Sequence, residues 1–269
     1  MITELTAEQV ARYEREGYLL LEDAFDSATV EAVRREAIRA QQANAPSRVL
    51  EEGGRSVRAV HGGHLTSPVL DRLTRHPVMV GIARQLLGGD IYVYQFKINT
   101  KAARVGAHWA WHQDYIFWRE EDLLPDTRVL TLSIFLDDVI DENGPLEIIP
   151  GSHANGVIRV MPQAPAAAEQ GQPSWVSDLT ATLKFELSQD AVDPLIERHG
   201  VVRQIGTAGS LLLMHANAVH GSRPNLSDKD RFLCLITYSS VDNKPQRWAG
   251  ARPEFLVSRD YTPVTALAE

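Results

Sequence analysis

Apolar residues repeat at helical spacing in the first third of the chain and at strand spacing through most of the rest. Thr6-Ala-Glu-Gln9 has the order of a capping box and predicts a helix to about Glu16, ended by Gly17. The run Tyr18-Leu-Leu-Leu21 reads as a short strand. Asp26 or Ser27 caps a second helix whose apolar stripe, Val30, Val33, Ala37 and Ile38, runs to about Gln42. Residues 46–64 carry Gly53-Gly54 and Gly62-Gly63 and are expected to be irregular, with a short strand near Val57. Pro77 opens a third helix, and Gly88-Gly89 closes it.

Segments 91–98, 128–136, 145–149, 201–205, 210–214 and 231–238 are rich in β-branched and aromatic residues, with turn signals such as Glu142-Asn-Gly144 between them. Helices first and short strands after predict an α+β chain, mainly β, with a double-stranded β-helix (jelly-roll, cupin-like) core. The expected organisation is one domain over 1–269. It has a helical N-terminal part at about 1–90, the core at about 91–240 and a lid-like insertion at about 162–200. The insertion carries Pro162, Pro165, Gly171 and Pro173 before a weakly helical stretch, which fits a functional lid or a disordered segment.

Composition narrows the partners. The chain has 269 residues, is 44% hydrophobic and 23% charged, and carries a net charge of −8 with no Lys/Arg cluster, which argues against nucleic acid. No segment approaches membrane-spanning length and no leader is visible, so a membrane is not expected and a reducing cytoplasm is. The one cysteine, Cys234, lies in an apolar run and reads as a buried structural thiol.

Against that background His112-Gln-Asp114 stands out, with His220 far downstream in Val219-His-Gly-Ser-Arg-Pro-Asn225. Two imidazoles and one carboxylate are the donor set that holds one face of Fe(II) in non-haem oxygenases and leaves the opposite positions open. On a strand, His112 and Asp114 would share a face, with Trp109, Trp111 and Gln113 on the other. His215 rivals His220 for the third position. Gly221 and Ser222 favour His220, since they predict a turn where backbone can approach an anion. Arg231 follows eleven residues after His220, and a hairpin return would bring it past the metal. A planar guanidinium suits a carboxylate through two parallel hydrogen bonds. Its alternative is a surface place among Asp228, Lys229 and Asp230. The other histidines read as solvated or hydrogen-bonded.

These residues also carry a resemblance. Through Tyr94-Gln-Phe-Lys-Ile-Asn-Thr-Lys101, Trp109-Ala-Trp-His-Gln-Asp-Tyr-Ile-Phe-Trp118, Asn143-Gly-Pro-Leu146, Pro150-Gly-Ser-His153 and His220-Gly-Ser222 with Arg231, the chain resembles the phytanoyl-CoA dioxygenase superfamily of Fe(II)/2-oxoglutarate-dependent oxygenases. The likeness spans about residues 5–263. It is strongest to the small-molecule branch of ectoine hydroxylase and free L-leucine 5-hydroxylases, which segments 48–55 and 252–255 also resemble. The resemblance implies His112, Asp114 and His220 as catalytic iron ligands. It implies Arg231 and Ser222 at the far carboxylate of 2-oxoglutarate, Asn99 nearby, and Gln95 and Trp118 in the substrate pocket. His153 matches a motif without being a ligand. Arg58, beside Ala59-Val60, is a candidate partner for a substrate carboxylate or an exposed arginine of a glycine-rich loop.

The implied reaction hydroxylates an unactivated C–H bond with O2 while 2-oxoglutarate becomes succinate and CO2, ascorbate helping in vitro. The implied substrate is a free, mainly aliphatic L-amino acid. Other readings stay open: an ectoine-like metabolite or an acyl-CoA, or a non-oxidative cupin-type metal protein, which would not need Arg231 and Ser222. Halogenation requires the carboxylate ligand to be vacated, and Asp114 is present. The role of Lys97 is open.

Overall fold

A computed structural model describes residues 3–162, 174–247 and 252–268. Its larger sheet contains β1 (Tyr18–Leu21), β2 (Arg48–Leu50), β3 (Val57–His61), β4 (Ile91–Lys101), β6 (Val129–Phe135), β9 (Leu211–His215) and β11 (Arg231–Ser240). They lie in the order β1-β9-β6-β11-β4-β3-β2. The smaller sheet holds β5 (Trp109–His112), β7 (Leu146–Ile148), β8 (Val202–Gln204) and β10 (His220–Ser222), in the order β5-β10-β7-β8. Every ladder pairing is antiparallel.

Both faces of the larger sheet are covered, which is why its strands read as nearly continuous apolar runs. On one face lie α1 (Ala7–Glu16), α2 (Ser27–Gln42), α3 (Pro68–Thr74) and α4 (Pro77–Leu87). Their Tyr13, Val33, Leu73 and Ile82 pack against Ile98, Ile134, Leu213 and Ile236 of the strands. On the other face Phe135, Leu212 and Leu235 meet Ile148 of the smaller sheet. A bulge opposite Thr237/Tyr238 inserts one residue in β4. It reverses the facing of β4, so Ile91 and Val93 share the helix-side core with Phe96 and Ile98 while Tyr92 and Tyr94 turn to the other side.

Capping follows the sequence signals. Thr6 and Gln9 close a reciprocal capping box on α1, Asp26 accepts from the Thr29 amide on α2, and Gly17 and Gly88 end their helices with left-handed backbone. Other expectations need correction. The expected strands at Tyr18–Leu21 and near Val57 are present as β1 and β3, but β2 adds a strand within the stretch expected to be irregular, and all three join the larger sheet. Residues 68–74 form α3, capped by Ser67 with Pro68 in its first turn. Asp114 does not continue the strand of His112; it opens α5 (Asp114–Asp122). Gly221 and Ser222 belong to β10 rather than to a turn. Of the expected insertion, 163–173 lie outside the described residues. The rest includes α6 (Gln189–His199) and a short 3-10 turn, Ser174–Asp178. Among the described residues no helix is long and apolar enough to cross a membrane.

Candidate active site

Between the two sheets lies a cavity floored by one face of β4 and β11. Gln95, Lys97, Asn99 and Lys101 point into it from β4, and Arg231, Leu233 and Leu235 from β11. The alternation of a strand puts these polar groups on one face while Phe96 and Ile98 serve the helix-side core. His112, Asp114 and His220 close the opposite wall. Their candidate donor atoms lie within 4.8 Å of one another.

The local chain explains the convergence. His112 and His220 are paired in register across β5 and β10. The Nδ1 of His112 meets the Ala110 carbonyl at 2.7 Å, and that of His220 meets the Ala218 carbonyl at 2.9 Å. A carbonyl only accepts, so both Nδ1 atoms carry the proton and both Nε2 atoms present lone pairs. Gln113 pins the turn after β5: its amide donates to the carbonyls of Gly156 and Asn217 at 2.8 and 2.7 Å, and its oxygen accepts from the Ile158 amide. Chain reversal there carries Asp114 back toward the imidazoles, with one Oδ1 3.8 Å from His112 Nε2 and 3.9 Å from Lys97 Nζ. Ser152 accepts from the Val219 amide and so holds the residue before His220.

The protonation states suit a cation. Burial, with His220 nearby, lowers the pKa of His112 to about 3 despite Asp114. Burial likewise lowers that of His220. Burial alone would raise Asp114, but the Lys97 ammonium and then the two histidines outweigh it and keep the carboxyl low. Two neutral imidazoles and one anion result. Asp114 Oδ2 is buried without a hydrogen-bond partner. An orphan carboxylate oxygen beside two free imidazole lone pairs fits a bound divalent metal such as Fe(II).

One end of the cavity is cationic. Arg231 is 2% exposed and donates from Nη2 to the Gly144 carbonyl at 2.5 Å. Its Nε, the Ser222 hydroxyl and Asn99 Oδ1 are buried without partners. Gly144 makes this possible with φ 71°; a Cβ there would meet the Arg223 carbonyl at 2.5 Å. Lys101 joins this end, donating to the carbonyls of Ala107 and Arg223, its pKa lowered to about 6 by burial and then by Arg231 and Arg58. Gln95 and Trp118 line the cavity, Trp118 edge-on to Tyr94 at 5.5 Å. Phe117 stands edge-on to His112 at 6.1 Å.

Arg58 is not in the cavity lining and is not exposed. Its ion pair with Glu51 is buried, at 3.1 Å, Nε donates to the Leu179 carbonyl and Nη2 to that of His108, both at 2.9 Å. The guanidinium also stacks on Trp109 at 3.7 Å. With all of it engaged, Arg58 holds the segment at 179–180 to the approach of β5 and has no donor for a substrate. His215 is likewise outside the metal group: its Nδ1 accepts from the Asn217 amide and its ring faces His153.

Lys101, His61, Asp178 and Arg252 also line the cavity and were not picked out as site residues. The signal for Lys101 was present: polar residues at every second place from Gln95 to Lys101 in an otherwise apolar strand. Asp178 ends the short 3-10 turn and Arg252 lies in an irregular segment, so periodicity carries nothing for either.

Fold and site together define a non-haem iron oxygenase class. The family model for phytanoyl-CoA dioxygenase matches residues 13–233. The chain is 42% identical over 253 residues to an L-proline trans-4-hydroxylase from Streptomyces griseoviridis, covering 94% of this chain and 92% of that one. It is 34% identical over 269 residues to an ectoine dioxygenase from Bordetella parapertussis, covering 95% and 83%. The crystal structure of EctD from S. alaskensis with 2-oxoglutarate and 5-hydroxyectoine is similar at TM-score 0.81 and 29% identity, covering 98% and 87%. A structure of the same protein with bound Fe is as similar, at TM-score 0.81. The chain belongs to the phytanoyl-CoA dioxygenase family and is a 2-oxoglutarate-dependent dioxygenase with Fe(II) as its metal.

Proposed function

We propose that the protein hydroxylates a free aliphatic L-amino acid, and that its two sheets are the jelly-roll core of a single catalytic domain. His112, Asp114 and His220 are the metal ligands in this reading. Fe(II), once bound with 2-oxoglutarate and O2, supplies the oxidation of an unactivated C–H bond. The chain supplies placement. Arg231, Ser222 and Asn99 hold the far carboxylate of 2-oxoglutarate, since a buried guanidinium with an unspent Nε next to an unspent hydroxyl suits a carboxylate. Lys97 keeps Asp114 ionised. Gln95 and Trp118 face the substrate, and Trp118 with Phe117 keeps water from the reacting carbon.

The observation that carries the reading is the polarity of the cavity. Among the apolar and aromatic walls of the cavity stands Arg252, whose Nη1 has, among the described residues, only the Asp178 carboxylate near it, at 3.6 Å. Its Nε and Nη2 are committed to Asp122 at 2.9 and 2.5 Å, which leaves Nη1 for a substrate carboxylate. Polar groups at one end of an apolar pocket fix which carbon meets the metal. The relative named for L-proline hydroxylation supports a free amino acid, so proline joins leucine-like side chains as the first substrates to try. The test incubates the enzyme with Fe(II), 2-oxoglutarate, ascorbate and air against each proteinogenic amino acid. Product with the mass gain of one oxygen, matched by succinate, is expected from a small aliphatic member. Oxidation of only an acyl-CoA or a peptide-bound residue would refute the reading.

A further inference from the structure

At the Arg252 end of the cavity the charges do not balance. Asp122 and Asp178 face one guanidinium, all three buried at 8% exposure or less. Asp122 is satisfied: Arg252 grips both its oxygens and the Tyr94 hydroxyl donates to it. Asp178 is not. Its nearest charge is Arg252 Nη1 at 3.6 Å, beyond hydrogen-bond length, and both its carboxylate oxygens are buried without a hydrogen-bond partner. Other cations nearby are engaged: Lys184 pairs with Glu121, Arg58 with Glu51, and Lys97 with Asp114. His61 cannot help, since burial, Lys97 and Arg252 lower its pKa to about 3 and leave it neutral. A buried carboxylate with no donor is costly unless something arrives to pair with it. Asp178 lines the cavity, so the something is a ligand.

We propose that Asp178 receives the substrate's ammonium group, making it the residue that selects an amine-bearing acid over an acid without nitrogen. The inference rests on the amino-acid reading above and gives it a second anchor. An ammonium brings the missing positive charge and two or three N–H donors for the two orphan oxygens. A primary ammonium and the secondary ammonium of an imino acid both meet this requirement, whereas an amide nitrogen, as in a peptide, carries no charge. The carboxylate of the same molecule then sits against Arg252 Nη1, the neighbour of Asp178, as the close spacing of the two groups in a zwitterion requires. Burial raises the pKa of Asp178 to about 7, against the pull of Arg252.

Calorimetry on the enzyme loaded with Fe(II) and 2-oxoglutarate, without oxygen, tests this. L-proline and L-leucine are compared with cyclopentanecarboxylic acid and 4-methylpentanoic acid, which keep the carboxylate and apolar body but lack nitrogen. The amino acid that the enzyme oxidises is expected to bind about ten- to a hundredfold more tightly than its nitrogen-free analogue. Asp178→Asn, similar in size, should erase most of that preference while 2-oxoglutarate affinity stays at the wild-type value. Equal binding of both compounds by the wild type overturns the inference, and that arm needs no variant. An Asp178→Asn protein with normal 2-oxoglutarate binding and an intact preference overturns it too. Failure of the substrate reading is separate: no free amino acid then yields product with the wild type. Failure of this inference leaves product formation untouched.

Discussion

His112 and His220 face each other in register across two short strands, ring centroids 4.2 Å apart, and each is bound through Nδ1 to the carbonyl two residues before it. Repetition of one local device on two paired strands aims two lone pairs at one point. Asp114 completes the set from the first turn of α5. Backbone pairing and the two Nδ1–carbonyl contacts set this geometry.

Replacing His112, Asp114 or His220 by Ala should therefore remove Fe(II) and turnover together, while His215→Ala keeps both. Metal analysis after gel filtration reads the outcome. Iron retained by His220→Ala and lost by His215→Ala would reverse the assignment. Asp114→Gly should abolish hydroxylation in the same way, because it removes the same carboxylate.

Arg231→Ala should weaken 2-oxoglutarate binding by about ten- to over a hundredfold, the loss of a charge-assisted hydrogen-bonded pair at roughly 1.5–3 kcal/mol. The substrate titration should move much less. Unchanged 2-oxoglutarate dependence would leave Arg231 a purely structural partner of the Gly144 carbonyl.

Sequence legibility tracked how locally each feature is encoded. His112, His220 and Arg231 line one cavity, as residue type and spacing suggest, although His220 opens a strand and is not followed by the turn expected at Gly221-Ser222. Asp114 was found, but its place was misjudged: a reading of strict alternation could not see that the strand stops at His112 and a helix begins two residues later. Strands β2, β5 and β10 have only three or four residues, too few for a period to show. Helix α3 was missed although Ser67-Pro68 has the cap-then-proline order. For Arg58 the sequence offers a partner for a substrate carboxylate or an exposed arginine, because its partner Glu51 lies across a hairpin and its carbonyl acceptors lie far along the chain. Asp178 and Arg252 depend on tertiary contact alone.

Arg58→Ala should destabilise the fold, since it strands Glu51 as a buried charge and frees the carbonyls of His108 and Leu179. Breaking one side of a buried pair costs about 3–5 kcal/mol. In a chain of this size that lowers the melting temperature on the order of 10 °C. An exposed substrate-binding arginine would leave the melting curve in place, so thermal denaturation separates the two roles.

Binding of 2-oxoglutarate should take up a proton, and Lys101 should be its site. Burial and the adjacent Arg231 and Arg58 lower the Lys101 pKa to about 6, so near neutral pH its amine is largely uncharged. The dianion enters beside Arg231 and adds negative charge to that of Glu51 and Glu147, which raises the pKa and draws a proton onto Nζ. The sign follows: binding that takes up a proton weakens as pH rises above about 6, through the window up to the raised bound-state value. Stability of the ligand-free protein runs the other way. The unfolded chain holds the Lys101 proton up to its ordinary pKa of 10.5 while the folded chain has released it, so this group adds stability as pH rises from about 6 toward that value. Calorimetry in buffers of different ionisation enthalpy measures the proton count directly. Lys101→Met should abolish the uptake and flatten the pH dependence of 2-oxoglutarate affinity. Proton release on binding, or uptake that survives in Lys101→Met, would show that another group titrates.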